Sequence, residues 1–435
     1  ARVPLDALSR MHPLGRLTLP LQRWIRDQGL SGLRAIQART VHAILDSERD
    51  LIVAASTAGG KTEAAFLPLV SKLVGEGPSP GSGFDLVYIG PLKALINDQQ
   101  RRLEEMCRNT GLDVHPWHGD VSGSIKKRAR TAPGGILLIT PESLEALFVR
   151  RGLEIRQLFG RASAIVIDEL HTFLDSERGV QLRSLLARLE LATGRRVRRI
   201  GLSATLGDME LAKGFLRPGH AAEVDLLEAI GDGSDLLIQL RGYVSGKRVP
   251  PEDDSVREED EPSGSAEVEI ARHLFTKLRG SNNLVFAGSR GQVELLANRL
   301  REACERSSLP QEFYPHHASL SKDHRDFVEQ RLKDGVLPTT AICTSTLELG
   351  IDIGDVACVA QVGAPHTVAS LRQRLGRSGR RADQPAVLRQ YAIETEISAK
   401  SHFADQLRLG LVRSIAMIEL LLERWCESPR PDALH

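Results

Sequence analysis

The sequence predicts an α/β fold: two parallel-sheet lobes in tandem, followed by a short C-terminal helical extension. Three observations predict it. Short, nearly all-apolar runs alternate with helical patterns along most of the 435 residues, as expected of strands buried on both faces and joined by helices. An acidic interruption splits the alternation into two series. The first strand of the first series runs into a small-residue loop that opens a helix, the arrangement that cradles phosphates.

The first series reads as strands over 50–54, 86–89, 135–139, 164–167 and 199–202, with helices over 92–107 and 180–191. Residues 250–262 then carry seven acids and one base with almost nothing apolar, too little to fold by burial. We read them as a mobile loop between Tyr243-Val244 and a helix starting near Ala266, a solvated spacer rather than an acidic mimic of DNA. The second series gives strands over 283–286, 340–343 and 356–360 and helices over 289–305 and 321–333. Residues 397–425 read as helical, with Ile415, Ile418, Leu421 and Leu422 at helical spacing. The expected domains are lobe 1 over 1–220, lobe 2 over 221–395 with the acidic loop at 250–264, and the helical extension over 396–435.

Composition narrows the function classes. A chain 41% hydrophobic and 26% charged is globular and has apolar content for two cores. The net charge of +1 argues at first against a polyanion partner, but it is an average. The acidic segment alone carries −6, leaving +7 on the remainder, and arginine outnumbers lysine 46 to 11, which suits phosphate recognition. With only 4% aromatics, grip by many stacked bases is excluded. No window approaches the roughly 20 apolar residues of a membrane span, and Ala1-Arg2-Val3-Pro4 lacks a signal-peptide pattern. Cys107, Cys304, Cys343, Cys358 and Cys426 are far apart, without a C-x-x-C pair. They read as buried apolar side chains of a cytoplasmic protein.

The loop Ala55-Ser56-Thr57-Ala58-Gly59-Gly60-Lys61-Thr62 has P-loop spacing with Ala in place of the first Gly. Small residues let backbone N–H groups wrap phosphates at the helix N-terminus. Lys61 is placed to reach the β- and γ-phosphates and Thr62 to ligate Mg²⁺. Downstream, the strand 164–167 delivers Asp168-Glu169. Adjacent carboxylates at the end of a buried strand need a cation: Asp168 is the expected Mg²⁺ anchor and Glu169 the base that orients water for ATP hydrolysis. The bland alternative is an acidic pair capping the next helix.

From Leu33 to Arg381 the motif series resembles the superfamily 2 DExH-type helicases. The resemblance implies two RecA-like lobes and a set of roles. Gln37, in Leu33-Arg34-Ala35-Ile36-Gln37, is the candidate adenine reader. Lys93 in Pro91-Leu92-Lys93 and Thr140 in Thr140-Pro141-Glu142-Ser143 are candidate contacts to nucleic-acid phosphates. Ser203-Ala204-Thr205 is the coupling motif, with Ser203 and Thr205 its hydroxyls. Thr344-Ser345-Thr346-Leu347-Glu348-Leu349-Gly350-Ile351-Asp352 supplies Thr344 and Ser345 for the strand and Gly350 and Asp352 for the nucleotide, joining Thr57, Ala58, Gly59, Gly60, Lys61 and Thr62. In Gln373-Arg374-Leu375-Gly376-Arg377-Ser378-Gly379-Arg380, Arg377 and Arg380 are candidate arginine fingers and Gln373 helps place the water. Gly119-Asp120, Leu170-His171, 361–365 and Val368-Ala369-Ser370 resemble the large helicase-related (Lhr) group; Ala58 and Ala318 depart from its usual glycines. That group continues into further domains, so the chain is expected to be a core fragment or a subunit.

The resemblance implies an ATP-dependent translocase or helicase moving 3′ to 5′ along single-stranded DNA or RNA, with ATP and Mg²⁺ as cofactors and no membrane partner. A second reading is a regulatory ATPase subunit of a DNA-repair or genome-defence complex with little unwinding of its own; a third is a nucleotide-dependent motor that binds no nucleic acid. The basic runs 126–130 and 195–199 could extend the track or simply be solvated. His118, Asp120 and the His316-His317 pair invite a metal reading. No further ligand cluster accompanies them, and loop-anchoring hydrogen bonds are the expected role.

Overall fold

The computed structural model describes residues 12–30, 32–55, 60–77, 82–174, 176–203, 209–229, 235–245, 266–348, 353–379, 384–399, 401–423 and 425. The acidic segment 250–264 and Cys426 lie outside them. The chain divides into two compact units, with the break between residues 231 and 232.

Among its described residues the first unit holds seven strands: β1 (Asp50–Ala54), β2 (Leu86–Ile89), β3 (Val114–Trp117), β4 (Ile136–Ile139), β5 (Ala164–Ile167), β6 (Arg198–Ser203) and β7 (Val224–Glu228). They form one sheet in the order β3-β4-β2-β5-β6-β1-β7, every pair parallel. Alternate residues serve opposite faces. Leu51, Val53, Val166 and Leu202 join one core cluster, and Ile52, Ile165 and Ile167 the other. That is why these runs carry no polar alternation: either face, once exposed, would forfeit about 1.5–3 kcal/mol per large apolar side chain.

The second unit holds β8 (Leu236–Ser245), β9 (Asn283–Phe286), β10 (Phe313–His316), β11 (Thr340–Cys343), β12 (Cys358–Val362) and β13 (Ala386–Thr395). The sheet order is β10-β11-β9-β12-β13-β8, again wholly parallel. The helix Ala266–Leu278 starts where the sequence places it. Both units therefore have the doubly covered parallel sheet expected of RecA-like lobes.

Two boundaries differ from expectation. β7 pairs with β1 along its whole length, so the first unit runs past residue 220. The C-terminal helix Leu409–Leu422 belongs to the second unit, where Leu421 enters a core cluster of that sheet.

Within the basic run 195–199, Arg198 and Arg199 turn inward. Arg198 donates to the carbonyls of Ala43, Ile44 and Arg49 at 2.8–3.1 Å, closing the C-terminal end of the helix Ala35–Leu45. Arg199 reaches Glu190 and the Leu216 carbonyl, each at 2.8 Å. Burial and the neighbouring Arg217 lower the Arg199 pKa to about 10. These two buried arginines hold strands and helices together.

Candidate functional site

Because all strands of the first sheet are parallel, their C-terminal ends share one edge, where ligands bind in such folds. β5, β6 and β1 are adjacent, so the turn after β5 (Asp168-Glu169), the end of β6 (Ser203) and the end of β1 (Ala54-Ala55) come together. The helix Lys61–Glu76 starts from Gly60 at φ 69°, a left-handed backbone that favours glycine. A Cβ on Gly60 would stand 2.5 Å from Gln37 Nε2. Gln37 itself accepts from the Arg34 N–H at 2.9 Å and donates to the Gly60 carbonyl at 3.4 Å, so the expected adenine reader sits directly against the phosphate loop. Lys61 and Thr62 are both 7% exposed, and Lys61 Nζ donates to the Ala55 carbonyl at 2.9 Å.

Asp168 and Glu169 are 4% and 5% exposed. Asp168 accepts from the Tyr88 hydroxyl at 2.6 Å and from the Glu169 N–H at 2.8 Å. Burial, then the adjacent Glu169 carboxylate, lift its pKa to about 6, against the pull of Tyr88 and Lys61. Glu169 has φ 47°, uncommon for a residue with a side chain and a mark of functional turns. His171 Nδ1 lies 3.1 Å from Ser203 Oγ and 3.6 Å from Glu169 Oε2, so one imidazole touches both the acidic motif and the coupling motif. Two buried carboxylates against one buried lysine leave an excess of negative charge. Buried carboxylates of this kind are oxygen donors that fit Mg²⁺.

That excess charge has a stability signature. A carboxyl whose folded pKa is raised from 3.8 to about 6 loses stability as pH rises through that window and carries the full cost above it. Without nucleotide and Mg²⁺, Asp168→Asn is therefore expected to be more stable than the parent at pH 7.5 by about 2 kcal/mol, with the difference vanishing near pH 4. Denaturant titrations across pH 4–8 measure it; equal stability at pH 7.5 would contradict the assigned burial cost.

Farther along the same edge, the loops after β2, β4 and β3 carry the other candidates. Lys93 opens the helix Lys93–Cys107 and its Nζ meets Asp120 at 2.7 Å, both side chains more than half exposed. Thr140 is 5% exposed and caps the helix Pro141–Arg151: its hydroxyl accepts from the Ser143 N–H at 3.4 Å and donates to Ser143 Oγ at 3.1 Å. It is thus already engaged within the chain.

In the second unit, Thr344 and Ser345 follow β11; Ser345 is exposed. Gln373 and Arg374 lie on the helix Val368–Leu375 and Arg377 just beyond it. Arg377 is 1% exposed and donates to the Glu348 carbonyl at 2.8 Å. Arg374, which sequence reasoning did not single out, is ion-paired to Glu348 at 2.6 Å. Nor did it single out Tyr88, which looks like one more residue of an apolar strand. Thr57, Ala58, Gly59, Thr205, Gly350, Asp352 and Arg380 lie outside the described residues. The histidines anchor loops as expected: His118 meets Asn97, His316 meets Thr346 and Glu329, and His317 meets Glu294, all at 2.7–3.0 Å. Among the described residues no cluster of three His, Cys, Asp or Glu could hold a metal ion.

A family model described as DEAD/DEAH box helicase matches residues 34–213, and one described as helicase conserved C-terminal domain matches 266–382. The chain is 31% identical over 394 residues to an ATP-dependent helicase Lhr-Core of Methanothermobacter thermautotrophicus, covering 86% of this chain and 44% of that protein. It is 31% identical over 411 residues to an Lhr helicase/probable uracil glycosylase of Mycolicibacterium smegmatis, covering 84% of this chain and 26% of that protein. The solved structure of Mycobacterium smegmatis helicase Lhr bound to ssDNA and AMP-PNP aligns with a TM-score of 0.75 at 28% identity, over 96% of this chain and 51% of that one. The chain thus spans about half or less of the length of these relatives.

Proposed function

This chain belongs to the superfamily 2 helicases, among their Lhr-like members, and from that premise we propose that it is an ATP-dependent nucleic-acid translocase moving 3′ to 5′ along single-stranded DNA or RNA. The observation that carries the reading is the buried Asp168-Glu169 pair beside Lys61, on the sheet edge that also bears Lys93 and Thr140. Lys61 binds the β- and γ-phosphates and Gln37 reads the adenine. Asp168 and Thr62 hold Mg²⁺, which supplies charge neutralisation on the phosphates when bound. Glu169 orients the attacking water and takes its proton, and Arg377 and Arg380 act as arginine fingers, with Gln373 beside them. Thr57, Ala58, Gly59, Gly60, Gly350 and Asp352 complete the nucleotide contacts. Lys93, Thr140, Thr344 and Ser345 hold strand phosphates without reading sequence, and His171 relays between Glu169 and Ser203.

Among the described residues no helix is long and apolar enough to cross a membrane. We place the protein in the cytoplasm, where cysteines packed in apolar cores such as Cys107, Cys304, Cys343 and Cys358 stay reduced. The span between Asp352 and Gln373 is used up by β12 and the start of the helix Val368–Leu375, which leaves no room for a long strand-separating hairpin. ATPase assays with and without single-stranded DNA or RNA, alongside 3′- and 5′-tailed duplexes, test the proposal. Expected are stimulation by single strands, a preference for 3′ tails and weak unwinding by residues 1–435 alone. ATPase indifferent to every nucleic acid would overturn the translocase, and processive unwinding would overturn the limit on it.

A further inference from the structure

Glu348 ties the two arginine-bearing segments of the second unit together. It is 8% exposed. Its Oε2 accepts from Arg374 Nε at 2.9 Å and from the Arg374 terminal nitrogen at 2.6 Å. Its Oε1 accepts from the Ser370 hydroxyl at 2.5 Å. Its main-chain carbonyl accepts from Arg377 at 2.8 Å. Arg374 spends its remaining arm on Gln361 Oε1, and its guanidinium lies 4.6 Å over the Phe286 ring. With Arg374 8% and Arg377 1% exposed, these contacts are made out of water, where a charge-assisted fork holds its geometry closely.

We propose that Glu348 is a positioning residue for Arg377. Its carboxylate fixes Arg374 and the helix Val368–Leu375, while its carbonyl sets where the Arg377 guanidinium rests, two residues past the helix end. The proposal rests on Arg377 being an arginine finger. A finger acts only when its guanidinium is held within a fraction of an ångström of its working place, and an arginine side chain has too many rotors to hold that place without such contacts. Glu348 does this without touching nucleotide. Glutamine at 348 keeps the shape but removes the charge, leaving a buried guanidinium uncompensated. Arg374 then shifts, and the helix end leading to Arg377 shifts with it.

The test is a double-mutant cycle on the full chain, read by ATPase at saturating single-stranded DNA, by affinity for a fluorescent ATP analogue and by melting temperature. Arg377→Ala is expected to lower kcat by about 10³-fold. Glu348→Gln is expected to lower kcat by up to about 10²-fold with KM for ATP and analogue affinity unchanged, the cost of a displaced catalytic group. The Glu348→Gln/Arg377→Ala double variant is expected to be no slower than Arg377→Ala alone, because a misplaced finger has nothing further to lose. Multiplicative losses in the double variant, or an unchanged kcat in Glu348→Gln, would overturn the proposal. If Glu348→Gln does not fold, Arg374→Lys, which keeps the charge and loses the fork, enters the same cycle with the same outcomes. A wild-type rate in Arg377→Ala overturns the finger itself, a failure of the underlying reading that the single variant reveals on its own.

Discussion

Glu169→Gln is expected to bind ATP as tightly as the parent chain and to hydrolyse it about 10²–10⁴ times more slowly, the usual worth of a positioned general base. The substitution is isosteric. It leaves the Glu169 N–H donating to Asp168 Oδ1 at 2.8 Å and the unusual φ of 47° that aims the side chain. What is lost is the ability to take a proton from water. Because the change removes one buried negative charge beside Asp168, nucleotide affinity should hold or improve slightly. Single-turnover hydrolysis together with equilibrium binding of a fluorescent ATP analogue separates the two effects. Near-normal turnover would remove Glu169 from the role of base.

The second large effect lies at the opposite end of β1. Asp50, 1% exposed, accepts from Arg217 at 2.5 and 2.9 Å, from the Arg199 N–H at 2.7 Å and from Arg196 at 3.2 Å. Burial works to raise its pKa, but Arg217 and the Arg199 N–H outweigh it and hold the carboxyl below the usual range. A depressed carboxylate contributes its stability above the ordinary pKa and loses it only as pH falls below that. Asp50→Ala strands Arg217, itself 4% exposed, with Glu190 as its remaining acid. Removing one member of such a buried network costs about 3–5 kcal/mol. For a unit of this size that is a fall of about 10 °C in melting temperature at neutral pH. A loss below about 1 kcal/mol in denaturant titration would mean that solvent reaches the site.

The parts of the fold legible in the sequence are those where one physical demand dominates. Central strands such as β2, β5 and β9 are buried on both faces, and their runs announce it. Edge strands were not legible: β3 contains Pro116 and β10 contains Pro315, and proline argues against a strand unless one side of it is unpaired. β13 hid behind Arg389 and Gln390, which donate to Gln239 and to the Gly363 carbonyl. Of the site, Lys61, Asp168 and Glu169 could be read because each follows an apolar strand with a backbone reason for its position. Glu348 and Arg374 could not, since a charged residue in a sequence carries no mark of whether its partner lies in water or in the core. The run 195–199 was open to two readings, and the sequence could not show that Arg198 and Arg199 within it are buried and spent on the chain's own carbonyls and Glu190.

The same two prolines have a consequence for how molecules meet one another. An open parallel sheet ends in a row of unsatisfied backbone groups, a template on which a neighbouring chain can add a strand and start a fibre. Each sheet of this chain closes on one side with a four-residue strand interrupted by proline, β3 in one unit and β10 in the other. A strand arriving there meets a gap in the donor pattern and too short a run to hold it. The residues that obscured those strands in the sequence are thus the same ones that deny an incoming chain a full edge to pair with.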